Sequence, residues 1–398
     1  MPDWLTAPLH EVLEFREGPG IMAVDFRSHG VPLIRLAGLK RGSDLLTGCN
    51  YLDPVEVERR WKQFRVKEGD VLLSTSASLG EVAVAGKSHE GAVPYTGIIA
   101  FRPRDERILP EFIPHMLTNV TFVQQIQAMG VGSVMKHFGP SHLRKMTVTF
   151  PASVRDQRAI AEVLAALDDK IAANALVANA ATSLAAAHYE ALAERSTDVR
   201  ALGEVASTAL GGTPSRSVPE FWVHGTVPWL ASGKANEPRV LTPTAWITAE
   251  ALASSASKMM PKGATLLAIT GATLGQVARL EIDACGNQSL IGIWHEDQGM
   301  NDWLYFAVQQ QLPELLKHAT GAAQQHVNKQ NVERLLVPLP ATDVLELWGQ
   351  VARPLLDTAA AMDQQALHLA QTRDELLPLL MCDRITVRGV EDSAAAMT

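Results

Sequence analysis

At 398 residues the chain is too long for one ordinary core and suits two or three domains. An apolar share of 47% with 20% charged residues excludes extensive disorder, and no stretch approaches the ~18 apolar residues that a membrane span needs. The net charge of −8 argues against a global field that attracts nucleic acid. The acid excess is uneven: residues 1–150 hold 17 basic and 16 acidic side chains, whereas 341–398 hold 4 and 9. The opening MPDWLTAPLHEVLEFREG has no apolar h-region, and Cys49, Cys285 and Cys382 have no metal-like or disulfide-framework spacing. A cytoplasmic protein without a resident metal or membrane contact is expected.

In chain order, residues 1–151 mix short β-branched runs such as DVLLST, TGIIAF and KMTVTF with a stretch, Pro110 to Met129, whose apolar residues recur at helical spacing. Residues 152–198 change texture. RDQRAIAEVLAALDDKIAANALVANAATSLAAAHYEALAER (155–195) contains no Gly or Pro and is rich in Ala and Leu, so one helix of ~60 Å is expected at ~1.5 Å per residue. Ile160, Leu164, Leu167, Ile171, Asn174, Ala178, Ala181, Ala185, His188 and Leu192 step by four and three, a heptad seam that requires a partner helix. Residues 199–340 return to the mixed texture, with Asp302 to His318 as the matching helical stretch.

Residues 341–385 place Leu356, Ala360, Asp363, Leu367, Ala370, Asp374 and Leu377 at the same alternation, which predicts an antiparallel coiled coil between the two helical regions. Asn174 and Asp363 are polar seam positions suited to setting register. Pro354 predicts a short helix over 343–352 followed by a long one from about 354, and Pro378 predicts an end or a kink. Residues 386–398 read as a tail.

The two mixed regions are copies of one another. GSVMKHFGPSHLRKMTVTFP (132–151) aligns without gaps to GAAQQHVNKQNVERLLVPLP (321–340), an offset of 189 residues. EGDVLLSTSASLGEVAVAG (68–86) resembles KGATLLAITGATLGQVARL (262–280), VPLIRLAGLK resembles VPWLASGKAN, and LHEVLEF resembles LGEVAST. Four collinear blocks establish an α+β chain with a duplicated α/β domain, each copy followed by long helices.

With this order in hand, the block Pro151, Gln157, Ile160, Ala161, Leu164, Leu167, Asp168, Lys170, Ile171 and Asn174 resembles the first conserved helical region of specificity subunits in type I restriction-modification systems. The resemblance covers nearly the whole chain. It implies that each copy is a target recognition domain reading one half of a split, asymmetric sequence in double-stranded DNA. It also implies that the helices set the half-site spacing and dock two modification (methyltransferase) subunits through Gln157, Ile160, Leu164, Leu167, Asp168, Lys170, Ile171 and Asn174. Cofactors would then lie elsewhere: S-adenosylmethionine on the modification subunits, and ATP and Mg on restriction or motor subunits where present. The second helical region lacks the Gln, Ile-Ala and Asp-x-Lys-Ile features, so docking there rests on less.

DNA reading needs Lys, Arg and hydroxyl groups at phosphates, and Arg, Lys, Asn, Gln or Ser at base edges. In the first copy the loops offer Arg35, Lys40 and Arg41, then Ser74, Thr75, Ser76 and Ser78, then Lys136, His137 and Ser141. In the second they offer Lys234 and Asn236, then Thr270 and Thr273, then Gln324, Gln325, His326, Asn328 and Lys329, the amides favouring adenine. Hydroxyls before Gly80 and Gly275 are equally what a tight turn requires, and a lone His is more often a packing or capping residue. The run Arg59, Arg60, Lys62, Arg65 and Lys67 around Trp61 and Phe64 suits either phosphate contact or a solvated charged helix.

No phosphate loop, zinc pair, nucleophile elbow, dinucleotide fingerprint or Asn-Pro-Pro-aromatic segment occurs, so no catalytic residue is assigned. Three alternatives stay open. The chain could serve a methylation-only system, it could be a coiled-coil scaffold without sequence-specific DNA binding, or it could be a methyltransferase or nuclease whose site is built from scattered residues.

Overall fold

The computed structural model describes residues 3–40, 42–76, 79–129, 138–321, 325–382, 384–385 and 387. The chain divides into two compact units, Met1–Ala172 with His368–Thr398, and Ala173–Leu367. This division cuts through both long helices rather than following the chain in series. The physical cause in the first unit is apolar: Leu376, Leu377, Leu380 and Met381 from near the C-terminus pack into the same core as Leu9, Phe101, Phe112 and Leu164.

The duplication expected from weak sequence matches is present element by element. In the first unit, Trp4–Pro8 pairs antiparallel with Thr147–Pro151, and in the second, Asp198–Ala201 pairs antiparallel with Leu336–Leu339. The main sheet of the first unit runs Leu13–Glu17, Ile98–Pro103, Val71–Ser74, Val82–Val84. That of the second runs Ser207–Leu210, Leu290–Trp294, Thr265–Ala268, Val277–Leu280, with Arg239–Val240 added at the edge. The strands Val71–Ser74 and Thr265–Ala268 are buried at every position, which explains why they read as continuous apolar runs rather than alternating ones. Each unit also has a second sheet in which one strand pair is parallel, Val31–Ile34 with Val93–Pro94 and Val227–Leu230 with Cys285–Gly286.

A glycine pair marks the repeat more sharply than the aligned blocks do. Gly18 ends the strand Leu13–Glu17, and a Cβ there would meet the Pro94 carbonyl oxygen at 2.2 Å. Gly211 ends Ser207–Leu210, and a Cβ there would meet the Asn287 carbonyl oxygen at the same 2.2 Å. Both strands pass too close to a neighbouring backbone for any side chain.

The first long helix spans Val154–Ala193, as expected, and begins where the Ser153 hydroxyl accepts from the Asp156 N–H at 3.4 Å. Every residue of its expected seam, Ile160 to Leu192, is buried or half-buried. The second long helix corrects two expectations, because it is continuous over Thr342–Met381. Pro354 neither splits it nor starts it, and Pro378 does not end it. Trp348 and Ala352 on one side of Pro354, and Leu356 and Ala359 on the other, form one buried stripe, so packing on both sides holds the helix through the missing N–H. The expected seam is also one residue out at two places: Ala359 and Arg373 are buried, while Ala360 is half-buried and Asp374 exposed. Between them the seam is shared, with Ala366 and Leu367 both half-buried.

Candidate DNA-reading loops and helix contacts

In the second unit, antiparallel pairing brings the end of Thr265–Ala268, the start of Leu290–Trp294 and the end of Ser207–Leu210 to one edge. The loops that leave these strands therefore cluster. The Gly271 N–H donates to the Gln325 carbonyl at 2.9 Å, and the His326 backbone bridges both Thr270 and Thr320. The Thr273 hydroxyl donates to the Thr270 carbonyl at 3.3 Å. Gln325 and His326 are solvent-exposed. Beside the Gly271–Thr273 turn lies Ser232–Asn236, which carries exposed Asn236 and the half-buried Lys234. Lys234 Nζ is held by Glu237 at 2.7 Å and Thr242 at 3.1 Å. Asn328 caps the helix Lys329–Glu333 by accepting from the Asn331 N–H at 2.9 Å, and Lys329 pairs with Glu333 at 3.3 Å. The structure thus brings five expected residues together, Thr270, Thr273, Gln325, His326 and Asn236, and occupies Lys234, Asn328 and Lys329 with local partners. Gln324 lies outside the described residues.

The first unit has the equivalent edge. Thr75 N–H donates to the Gly97 carbonyl, Tyr95 N–H to Ile34, and Gly18 N–H to Ile98. Arg35 lies with its guanidinium 4.2 Å from the Tyr95 ring centre and 5.7 Å from that of Phe26, and one of its terminal nitrogens is buried without a hydrogen-bond partner. Ser74 and Thr75 are buried, and the Ser74 hydroxyl accepts from the Glu81 N–H at 3.0 Å, as a turn requires. Ser76 is half-buried, while Lys40 and Ser141 are exposed. Arg41, Ser78, Lys136 and His137 lie outside the described residues.

In the basic run at 59–67, four of the five cationic side chains have carboxylate partners within the chain. Arg59 pairs with Glu56 at 2.6 Å, Arg60 with Asp25 at 3.3 Å, Lys62 with Glu58, and Arg65 with Glu58 at 3.6 Å.

Two features were not legible in the sequence. One is the loop after Gly211, where Arg216 stacks on Trp222 and the only non-glycine residue with positive φ among those described, His224, stands at 55°. The other is Gln288, whose side chain accepts from the Thr213 hydroxyl at 2.6 Å. Nothing in the aligned blocks pointed to either: the first lies where the second copy is longer, and the second lies outside those blocks.

On the helices, the residues expected to dock a partner divide by burial. The Gln157 side chain is fully buried, donating to the Arg107 and Pro151 carbonyls at 2.7 and 2.9 Å and accepting from the Leu109 N–H at 2.9 Å. Ile160 and Leu164 are buried in the first unit's core. Asn174 donates to Gln365 of the second long helix at 2.8 Å. Asp363 instead receives Arg239 at 2.6 Å, which also reaches Thr182 at 2.7 Å and so ties the second domain to both helices. Leu167 and Ile171 are half-buried, leaving Asp168 and Lys170 as the solvent-facing members of the set. Arg373 reaches Asp168 at 2.6 Å.

Two equivalent α/β domains, each with polar loops gathered at one end of its main sheet and each packed on residues of the long helices, define a class of duplicated α/β proteins. Residues 1–180 and 195–346 match the family described as the Type I restriction modification DNA specificity domain, and the chain belongs to that family. Among curated proteins it is similar to the Type I restriction enzyme EcoR124I/EcoR124II specificity subunit of Escherichia coli, 24% identical over 35% of this chain and 36% of that one. It is also similar to the MjaVIII specificity subunit of Methanocaldococcus jannaschii, 21% identical over 42% and 40%. The matched stretches span well under half of these relatives' length. The fold is that of the type I restriction-modification S subunit from M. genitalium, with a TM-score of 0.58, 14% identity, and 95% and 96% of the two chains covered. Among the described residues no helix is long and apolar enough to cross a membrane, and no group of acidic, His and Cys side chains could hold a metal.

Proposed function

We propose that this chain is the DNA-sequence specificity subunit of a type I restriction-modification complex and carries no catalytic residue of its own. The observation that carries the reading is the double match to a DNA specificity domain, laid over two folds whose polar loops gather at equivalent sheet edges. Each domain reads one half of a split, asymmetric target in duplex DNA. The apolar flanks of the loops agree between copies while Arg35, Lys40 and Ser76 in one give way to Ala231, Asn236 and Thr270 in the other, as two different half-sites require. The long helices act as an antiparallel coiled coil that fixes the spacing and docks two modification subunits, which bring S-adenosylmethionine. Asp168 and Lys170 are the exposed groups of the docking set. Restriction subunits with ATP and Mg would join where present.

The test is genome-wide methylation in a host that expresses this chain with its neighbouring modification subunit, against the modification subunit alone. A split methylated motif that depends on the chain is expected. An unchanged pattern would sink the specificity reading in favour of a scaffold.

A further inference from the structure

We infer that Arg216, stacked on Trp222, reads a guanine in the half-site of the second domain. This rests on the function proposed above and adds a residue absent from the aligned loops.

The placement follows from the sheet. Gly211 N–H donates to the Leu290 carbonyl and Gly212 N–H to Gly286, so the loop that begins at Thr213 emerges at the same edge as the Thr270 and Gln325 loops. Ile269 N–H donates to Ser289, and Asn287 N–H to Leu230, which puts the 287–289 turn between them. Thr213 bonds Gln288 on that turn. Below the loop the buried Trp229 indole donates to the Gly212 carbonyl at 3.1 Å, and Trp222 donates to Ser215 at 3.1 Å. These two rings meet edge to face at 5.1 Å and form a floor.

Arg216 lies on that floor, its guanidinium 3.6 Å from the Trp222 ring centre and 5.4 Å from that of Trp229. The side chain is exposed, and among the described residues no carboxylate pairs with it. Of the other arginines of this unit, Arg239 and Arg279 are buried and ion-paired, Arg200 and Arg353 pair with Asp198 and Asp302, and the exposed Arg195 and Arg334 have no ring contact among the described residues. An exposed guanidinium without a carboxylate, held flat by an indole, keeps its donor fork free and pre-ordered. A fixed planar fork matches the O6 and N7 acceptors of guanine in the major groove. In the first unit Arg35 also lies over a ring, Tyr95, but it is half-buried with one terminal nitrogen enclosed, so its fork is not presented in the same way.

The experiment compares the wild-type complex with complexes carrying Arg216→Ala and Arg216→Lys, reading both the methylated motif and binding to duplexes altered one base pair at a time. Melting of each variant checks folding, and Arg216→Lys retains the charge without the fork. Relaxed discrimination at a single G·C pair of one half-site, by about tenfold to a hundredfold, with the other half-site unchanged, is expected for both variants. Uniform weakening without a change of motif would assign Arg216 to a phosphate and overturn base reading, as would no change at all. A wild-type complex that directs no motif would instead remove the specificity reading, and this inference with it.

Discussion

The two units carry the same fold on the same kind of helix but are held there by different chemistry. In the first, the anchor is apolar and neutral: Ile160 and Leu164 pack with Leu380 and Met381, and Gln157 satisfies three backbone groups. In the second, Tyr189, Trp303, Phe306 and Trp348 form an aromatic cluster, flanked by a buried ionic chain. Arg279 pairs with Glu281 and reaches Asp302 at 3.0 Å, and Asp302 pairs with Arg353 of the second long helix at 2.6 Å. Burial works against the Arg279 charge, but Glu281 and Asp302 outweigh it and hold the guanidinium above its usual range. A duplicated fold therefore keeps its backbone plan while the contacts that seat it diverge.

Removing one carboxylate from the ionic chain is the largest expected break. Asp302→Asn leaves Arg279 and Arg353 with one buried partner fewer and should cost about 3–5 kcal/mol in denaturant unfolding. A loss within experimental error would mean that water already screens the chain. The first unit should instead respond to acid through His115. Burial pushes His115 down to about 4 from 6.5, so the folded state resists its proton. Stability present above pH 6.5 is lost as pH falls towards 4, by up to about 3 kcal/mol. Burial and the neighbouring Asp374 and Asp169 raise Asp168 to about 6, which acts in the opposite sense over part of that window. The His115 share is therefore read as the difference in slope between the wild type and His115→Gln, and equal slopes would refute it.

Gln157→Ala sharpens the contrast from the neutral side. It strands the Leu109 N–H and two carbonyls, and a cost of about 1–3 kcal/mol is expected, insensitive to salt. A marked salt dependence would contradict a neutral anchor. An effect of similar size has the opposite sign: Pro354→Ala restores an N–H within the continuous helix and should stabilise the protein by about 1–3 kcal/mol. Destabilisation would show that the proline sits in a bend the fold needs.

Much of the architecture was legible from residue order, for reasons that particular elements show. The first long helix could be read because Ala-rich local propensity and a heptad stripe agree from Ile160 to Leu192. The second could not, since Pro354 and Pro378 are local signals that packing overrides, around Trp348 and Leu356 for the first and around Leu377 and Leu380 for the second. Its seam was misread by one residue at Arg373 because that charged side chain is buried against Asp168 and Asp374, and apolar counting passes over a buried arginine. Among the loop residues, hydroxyl turns and amides were found by composition, but their burial was not.

The sequence by itself determined the duplication, the first long helix and the family, because repeats and periodic apolar stripes are written in residue order. Only the tertiary structure decided which loops share an edge, that Gln157 and Asn174 are consumed inside the chain, and that Arg216 stands free on Trp222. Those outcomes depend on strand order and on contacts between residues far apart in the chain, which no local pattern records.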